Sequence, residues 1–362
     1  NPSFDSSLTV YGPTSGTVIK VLDKIIYGTS GNNTGETRFE YNDFGQVKKV
    51  RNMAADGHEL SYVITNLHTP GTNLLDVPRL TQTKSWTENF NGGAEITFDN
   101  TFTENQTIPE ASGNGTLITV SMTGHPNSAV SKTYVGSSGW MESLPIVTED
   151  WADGARKRWT QTDWTQDDTN LSYVKNPRVT KTKVADNANV RRTEIDYWNT
   201  GSLAAFGLVK EVRIYNDGTN ALQKKTITNY KDDAAYLSRR IIGLPSQSEL
   251  YDGNGFLMSK VAYAYDEGNF NDNDLQQNIS PIQHDNTNYG ASFIIGRGNL
   301  TSVTRHDVLG QSSAVTSSIK YNTAGAVVAQ IDPLGRTAKI GYADKFNDGG
   351  DSRNTFAYPT KV

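Results

Sequence analysis

The chain has 362 residues, of which 35% are hydrophobic, 20% charged and 10% aromatic, with no cysteine and a formal net charge of −5. The missing cysteine excludes a disulfide framework, a thiolate metal site and a cysteine nucleophile. The acidic balance, with Lys and Arg interspersed, argues against nucleic-acid binding, and no apolar run nears the roughly 18 residues of a membrane-spanning helix. Thr, Asn, Ser, Gly and Asp fill the shortfall against the roughly 45–50% apolar content of an average domain. That profile suits antiparallel sheet wetted on both faces and joined by many tight turns. The chain opens at Asn1 without Met or a signal segment, as a processed piece or an excised fragment would.

Taken in chain order, the pattern is that of strands. Residues 18–27 are rich in β-branched side chains and end at a Gly-Thr-Ser-Gly-Asn-Asn turn. Arg38-Phe39-Glu40-Tyr41 alternates and breaks at Asn42-Asp43-Phe44-Gly45. Residues 156–164 read as a strand carrying an aromatic ladder. Residues 210–215 alternate up to Asn216-Asp217-Gly218, a strong hairpin signal, and 226–230 repeat the idea. Only 232–240 and 275–277 suggest a helical turn. No stretch of ten residues has a 3.6-residue period with caps.

An internal repeat organises these strands. Its grammar is an aromatic strand residue, Asp or Asn, a glycine, then a new strand. The copies are Tyr41-Asn42-Asp43-Phe44-Gly45-Gln46-Val47, Tyr251-Asp252-Gly253-Asn254-Gly255-Phe256-Leu257 and Tyr265-Asp266-Glu267-Gly268-Asn269. They continue with His306-Asp307-Val308-Leu309-Gly310-Gln311, Tyr321-Asn322-Thr323-Ala324-Gly325-Ala326-Val327 and Ile331-Asp332-Pro333-Leu334-Gly335-Arg336-Thr337. A looser copy starts at Tyr197-Trp198-Asn199. The aromatic packs against neighbouring strands, and the Asx side chain folds onto the backbone two residues on. Glycine supplies the positive φ that starts the return strand. Each copy codes a hairpin that cannot bury its own face, so copies must pair side by side.

These residues resemble the tyrosine-aspartate (YD) repeat of bacterial Rhs proteins, toxin-complex C subunits and teneurins. The resemblance is dense over 190–345, recurs at 36–48 and is thin over 50–190. It implies an all-β chain, a long antiparallel sheet of consecutive hairpins curled as a segment of a spiral β-shell. The expected division is 1–190, divergent hairpin repeats with a possible inserted β-region at 50–190, and 191–362, the YD-repeat region. Tyr41, Gly45, Tyr251, Asp252, Gly255, Tyr265, Asp266, Gly310, Tyr321, Gly325, Asp332, Gly335 and Arg336 would hold the fold as structural repeat residues. The family's self-cleaving segment contains Asp-Pro-x-Gly followed by an apolar residue; here Arg336 follows, so Asp332 reads as a turn residue.

Other chemistry is weak. His58, His68, His125, His284 and His306 lack ligand spacing and read as structural or exposed. Asn271-Asp272-Asn273-Asp274 and Asp252-Gly253-Asn254-Gly255 lack the twelfth-position Glu of a calcium loop. Gly296 and Gly298 precede a strand-like 299–304, not the helix of a nucleotide loop. Trp140, Trp151, Trp159 and Trp164 cluster with Glu149, Asp150 and Asp153, an aromatic region that could stack on glycans.

The function expected is a non-catalytic wall that, by the resemblance, encloses a C-terminal toxin or effector. Its partners would be the remainder of its own polypeptide and that effector, with no cofactor and no metal, in a secreted or cell-surface setting. The alternative is a carbohydrate-binding or adhesion module using the four tryptophans. A carbohydrate-active enzyme comes third, and would need two carboxylates roughly 5–9 Å apart in a cleft.

Overall fold

The computed structural model describes residues 2–5, 9–11, 16–18, 21–29, 32–42, 45–67, 79–124, 129–186, 189–310, 313–342 and 355–362. Asp43, Phe44, His68, His125 and Gln311 lie outside the described residues. The chain is all-β and divides into two compact bodies, 1–177 with 182–189, and 178–181 with 190–362.

The first body opens with β1 (Pro2–Asp5) and a small hairpin of β2 (Thr9–Tyr11) and β3 (Gly16–Val18). It continues with β4 (Val21–Thr29), β5 (Asn32–Tyr41), β6 (Val47–Ala54), β7 (Glu59–Leu67) and β8 (Leu80–Thr87). Then come β9 (Ile96–Thr107), β10 (Asn114–Thr123), β11 (Ala129–Gly136), β12 (Pro145–Ala152) and β13 (Ala155–Thr165). Each strand from β4 to β13 pairs antiparallel with its neighbours in sequence, and β1 pairs with β4 across the small hairpin. The stretch 50–165 follows the same hairpin order although its Tyr-Asp-Gly punctuation has worn away.

After β14 (Arg178–Asp186), the second body holds β15 (Asn189–Tyr197), β16 (Val209–Asn216), β17 (Ala221–Tyr230), β18 (Pro245–Asp252) and β19 (Leu257–Tyr265). It ends with β20 (Leu300–His306), β21 (Val315–Tyr321), β22 (Val327–Ile331) and β23 (Thr337–Lys339). Again each strand pairs antiparallel with the next, from β15 to β23. Helix among the described residues is short: α1 (Ala234–Leu237) forms inside the expected 232–240, α2 is Asn286–Tyr289, and 3-10 turns lie at Asn91–Gly93, Gly139–Met141 and Gly201–Phe206. Residues 275–277 lie in a hydrogen-bonded turn rather than a helix: Asp272 caps the Leu275 N–H, but Gln276 has φ 51° and the Gln277 N–H returns to the Asp272 carbonyl, which stops the turn there.

The cores are thin, as the low apolar content requires. Ile108, Tyr134 and Val147 make one cluster in the first body, with Leu117 and Ile146 packed against it. Leu275, Val328 and Ala329 make another in the second, with Tyr342. Most strand residues are half-buried on both faces. The expected aromatic ladder takes a different form: Tyr62 and Trp86 stack ring on ring at 5.7 Å, but several strand rings are covered by a cation from the preceding strand. Lys49 lies 4.3 Å from the Tyr62 ring, Lys132 4.2 Å from Trp151, Arg192 4.3 Å from Tyr215 and Lys225 4.7 Å from Tyr251. On a wetted face a long cationic side chain can shield the ring and keep its charge in water, which a second ring cannot do.

Candidate functional site

Four tight turns share one geometry. In each, the N–H of the Asx residue donates to the carbonyl four residues on: Asn42 to Gln46, Asp252 to Phe256, Asn322 to Ala326 and Asp332 to Arg336, at 2.9–3.0 Å. The glycine N–H returns to the Asx carbonyl at 2.9–3.2 Å. The Asx Oδ1 accepts the N–H of Gln46, Phe256, Ala326 or Arg336 at 2.8–2.9 Å. Gly45, Gly255, Gly325 and Gly335 all have positive φ, from 75° to 86°. In the first three of these turns the aromatic residue sits opposite the second residue after the glycine, and the ladder slips by one residue beside it. This is a hairpin turn with an adjoining bulge. At Asp307 the carboxylate accepts the Leu309 N–H, as the side chains of Asp252, Asn322 and Asp332 do two residues on.

The same closure accommodates inserted chain. Asp266 N–H donates to the Asn299 carbonyl, and Asn299 N–H donates back to Asp266 Oδ1, each at 2.9 Å. Gly298, with φ 81°, occupies the glycine slot, and Tyr265 sits opposite Leu300. The repeat that reads as Tyr265-Asp266-Glu267-Gly268-Asn269 therefore does not turn at Gly268. Its two halves are 266 and 298–300, with a long excursion between them. The pair Gly296 and Gly298 is the return half of that turn. Trp198 closes on Leu208 after Gly207, and Lys231 on Leu244 after Gly243, in the same way.

The 266–299 excursion is held by two charged side chains. Asp266 Oδ2 accepts the N–H groups of Gly296, Arg297 and Gly298 at 3.1, 2.9 and 2.9 Å. The Arg297 guanidinium donates to four carbonyls, those of Phe293, Thr323, Tyr289 and Gly290, at 2.5–2.9 Å. It also lies 4.5 Å from the Phe270 ring and 4.9 Å from the Phe293 ring. Burial pulls the guanidinium below its ordinary pKa, and Asp266 opposes that shift. The excursion in turn seals the 321–325 turn: Thr323 N–H donates to the Gln277 carbonyl, and Thr323 Oγ1 donates to the Ile279 carbonyl at 2.6 Å. Asn322 and Thr323 are fully buried as a result. Asp266, Glu267, Gln277 and Lys320, with Phe270 and Ile319, line a pocket of about 190 Å³.

The repeat tyrosines add a clasp. The hydroxyls of Tyr41, Tyr197 and Tyr321 donate to the carbonyls of Leu22, Val179 and Leu300, at 2.6, 2.7 and 3.0 Å. Burial raises the pKa of all three phenols, which keeps them protonated donors. Tyr251 differs, donating to Glu249 Oε2 at 2.7 Å, and the Tyr265 phenol is raised by burial.

The tryptophans do not converge. Trp159 sits opposite Glu149, and the Trp151 indole donates to Glu149 Oε2 at 3.0 Å, so these two flank one buried carboxylate. Arg156 joins Glu149 at 2.9 Å and reaches Glu110 at the same distance. Trp164 donates to the Pro145 carbonyl at 2.8 Å, and Trp140 lies in the 3-10 turn Gly139–Met141. Among the histidines, His58 pairs with Glu88 and His284 bonds Asn286. Asp272 pairs with Lys320 at 3.2 Å, and Asp332 Oδ2 accepts the Arg336 Nε–H at 2.5 Å. Arg297 and Gly298 were legible only as a Gly-x-Gly fragment. The signal that finds them is the downstream half of the repeat, Gly298-Asn299-Leu300, standing without its own Tyr-Asp.

No family model and no curated protein matches the chain. Among solved structures, TcdB2-TccC3 without its hypervariable C-terminal region aligns with 90% of this chain and 26% of its own, at 10% identity and a TM-score of 0.39. The TcdB2-TccC3-Cdc42 structure aligns at 10% identity with a TM-score of 0.38, covering 91% of this chain and 27% of its own. A porin-like protein from Bacteroides uniformis aligns over 85% of both chains at 10% identity and a TM-score of 0.23. The chain spans about a quarter of the length of the TcdB2-TccC3 chains. At these scores the likeness is one of β architecture and carries no function.

Proposed function

We propose that the chain is a non-catalytic wall segment of a YD-repeat shell, part of a longer polypeptide, working in a secreted or cell-surface setting. One observation carries the reading: a single turn design, with its Asx acceptor and positive-φ glycine, stands at Asn42 in the first body and recurs at Asp252, Asn322 and Asp332 in the second, within an order of consecutive antiparallel hairpins common to both bodies. A hairpin unit of this kind is stable only beside further units, so its natural use is a continuous surface rather than a compact domain. The strands fit that use, since both faces are half-wetted and the apolar clusters among the described residues are small.

In this reading the wall encloses an effector domain encoded downstream. Limited proteolysis of the complete gene product tests it. A downstream domain that stays intact under native conditions, and is cut once urea opens the wall, supports enclosure. Cleavage as fast as that of the isolated downstream domain contradicts it.

A second reading, a carbohydrate-binding surface, draws on Trp151 and Trp159 flanking Glu149. Against it, Lys132 covers Trp151 and Arg156 lies 5.7 Å from Trp159, so the rings are already engaged. A glycan array on the chain separates the two readings, because a plain wall binds no glycan selectively through these tryptophans.

A further inference from the structure

The second body carries a groove of about 550 Å³, within the range of small-ligand sites. Its lining includes Arg239, Arg297 and His284 and no carboxylate, in a chain whose net charge is −5. The floor is aromatic: Phe293 meets Tyr289 edge-on at 5.3 Å, and Tyr289 meets His284 at 6.5 Å. Phe293 is also gripped from two sides, by Arg239 at 4.2 Å and Arg297 at 4.9 Å.

The two arginines differ in what they have left to give. Arg297 spends four of its five N–H donors on carbonyls, none of them charged, so it contributes positive potential but no free two-donor edge. Arg239 is exposed; its guanidinium lies on the Phe293 ring with Nε beside Gly296, and among the described residues it has no hydrogen bond or ion pair. A guanidinium stacked by one face keeps its edge donors available in a fixed plane, the geometry that suits an oxyanion. The neighbouring carboxylates are committed: Asp266 to the backbone of 296–299, and Asp285 to Asn288 at 2.7 and 3.0 Å.

We propose that this groove binds a small ring compound bearing one carboxylate or phosphate, with the oxyanion on Arg239 and the ring against the exposed Tyr289 side chain. The wall reading above neither requires nor excludes it.

The test is ligand-observed NMR and calorimetry on the whole chain with three probes: glucuronate, glucose 6-phosphate and uncharged glucose. At least one anion should bind saturably at about millimolar concentration or below, with glucose at least about tenfold weaker. Glucuronate alone assigns the carboxylate source, and glucose 6-phosphate alone assigns the phosphate. Arg239→Gln should weaken binding at least about tenfold with an unchanged melting temperature. Arg158→Gln, an equal change of charge in the other body, should leave it intact. Absence of saturable binding by both anions overturns the proposal, as does equal binding of glucose. Equal weakening by Arg158→Gln overturns it too, since that would mean a generic effect of net charge.

Discussion

Gly335 has φ 78°, and nothing lies within 4 Å of where its Cβ would stand. The demand there is conformational rather than spatial. Gly335→Val should therefore cost more than about 1 kcal/mol, because a β-branched residue is strained in that region. Gly335→Asn, which tolerates it, should cost clearly less. Urea unfolding of both variants measures the difference, and equal midpoints for parent and valine variant would mean the turn is misassigned. The tyrosine clasp makes a second residue-level claim: Tyr321→Phe deletes only the hydroxyl bonded to Leu300 and should lose about 1 kcal/mol. Tyr, Asp and Gly are visible in the sequence because each has a distinct job in the turn. The clasp is not visible, since its acceptor is a backbone carbonyl on another strand.

Between strands, the repeated turn behaves as a socket into which chain can be inserted between the Asx residue and the glycine. The local spacing of Tyr265-Asp266-Glu267-Gly268 is one residue shorter than the Asx-x-x-Gly of the complete turns, which sets this copy apart but does not say where its other half lies. The nearer glycine, Gly268, also has positive φ, and only the long-range match to Asn299 selects Gly298 for the turn. Asp266→Ala removes the acceptor of four backbone N–H groups and should cost more than about 2 kcal/mol. It should also make 267–297 the first segment cut in limited proteolysis, while the strands keep their circular dichroism. Preferential cutting elsewhere would remove Asp266 from its role.

Cross-strand carboxylates give the elements a pH dependence. The Tyr251 hydroxyl, then Lys260, hold Glu249 below its ordinary value of 4.5. Tyr62, then Lys84, do the same for Glu95, and that bond pushes the Tyr62 phenol up to about 12. A carboxylate depressed in the folded state contributes stability above its unfolded pKa and loses it as pH falls through the folded one. Stability should thus be level above about pH 5 and decline below about 4.5. Glu249→Gln should lower the plateau and flatten that decline, as urea midpoints across pH would record. A decline of unchanged steepness would assign the acid limb to other groups.

For the molecule as a whole, strand order was legible because alternation and turn residues are local properties, and hairpins need no long-range information to be read. The 50–165 stretch shows the same order with the punctuation gone, carried by β-branched strands and turns such as Ala54-Ala55-Asp56-Gly57. What stayed hidden depends on partners distant in sequence. The seal of 266–299 over Thr323 and the cations lying on strand rings are examples, and both follow from a sheet too wet to build a deep apolar core. Small-angle scattering on the chain in solution tests the wall claim most directly. A compact 362-residue globule has a radius of gyration of about 21 Å. A sheet of consecutive hairpins serving as a wall segment predicts a value clearly above that, and a value at or below it would contradict the account.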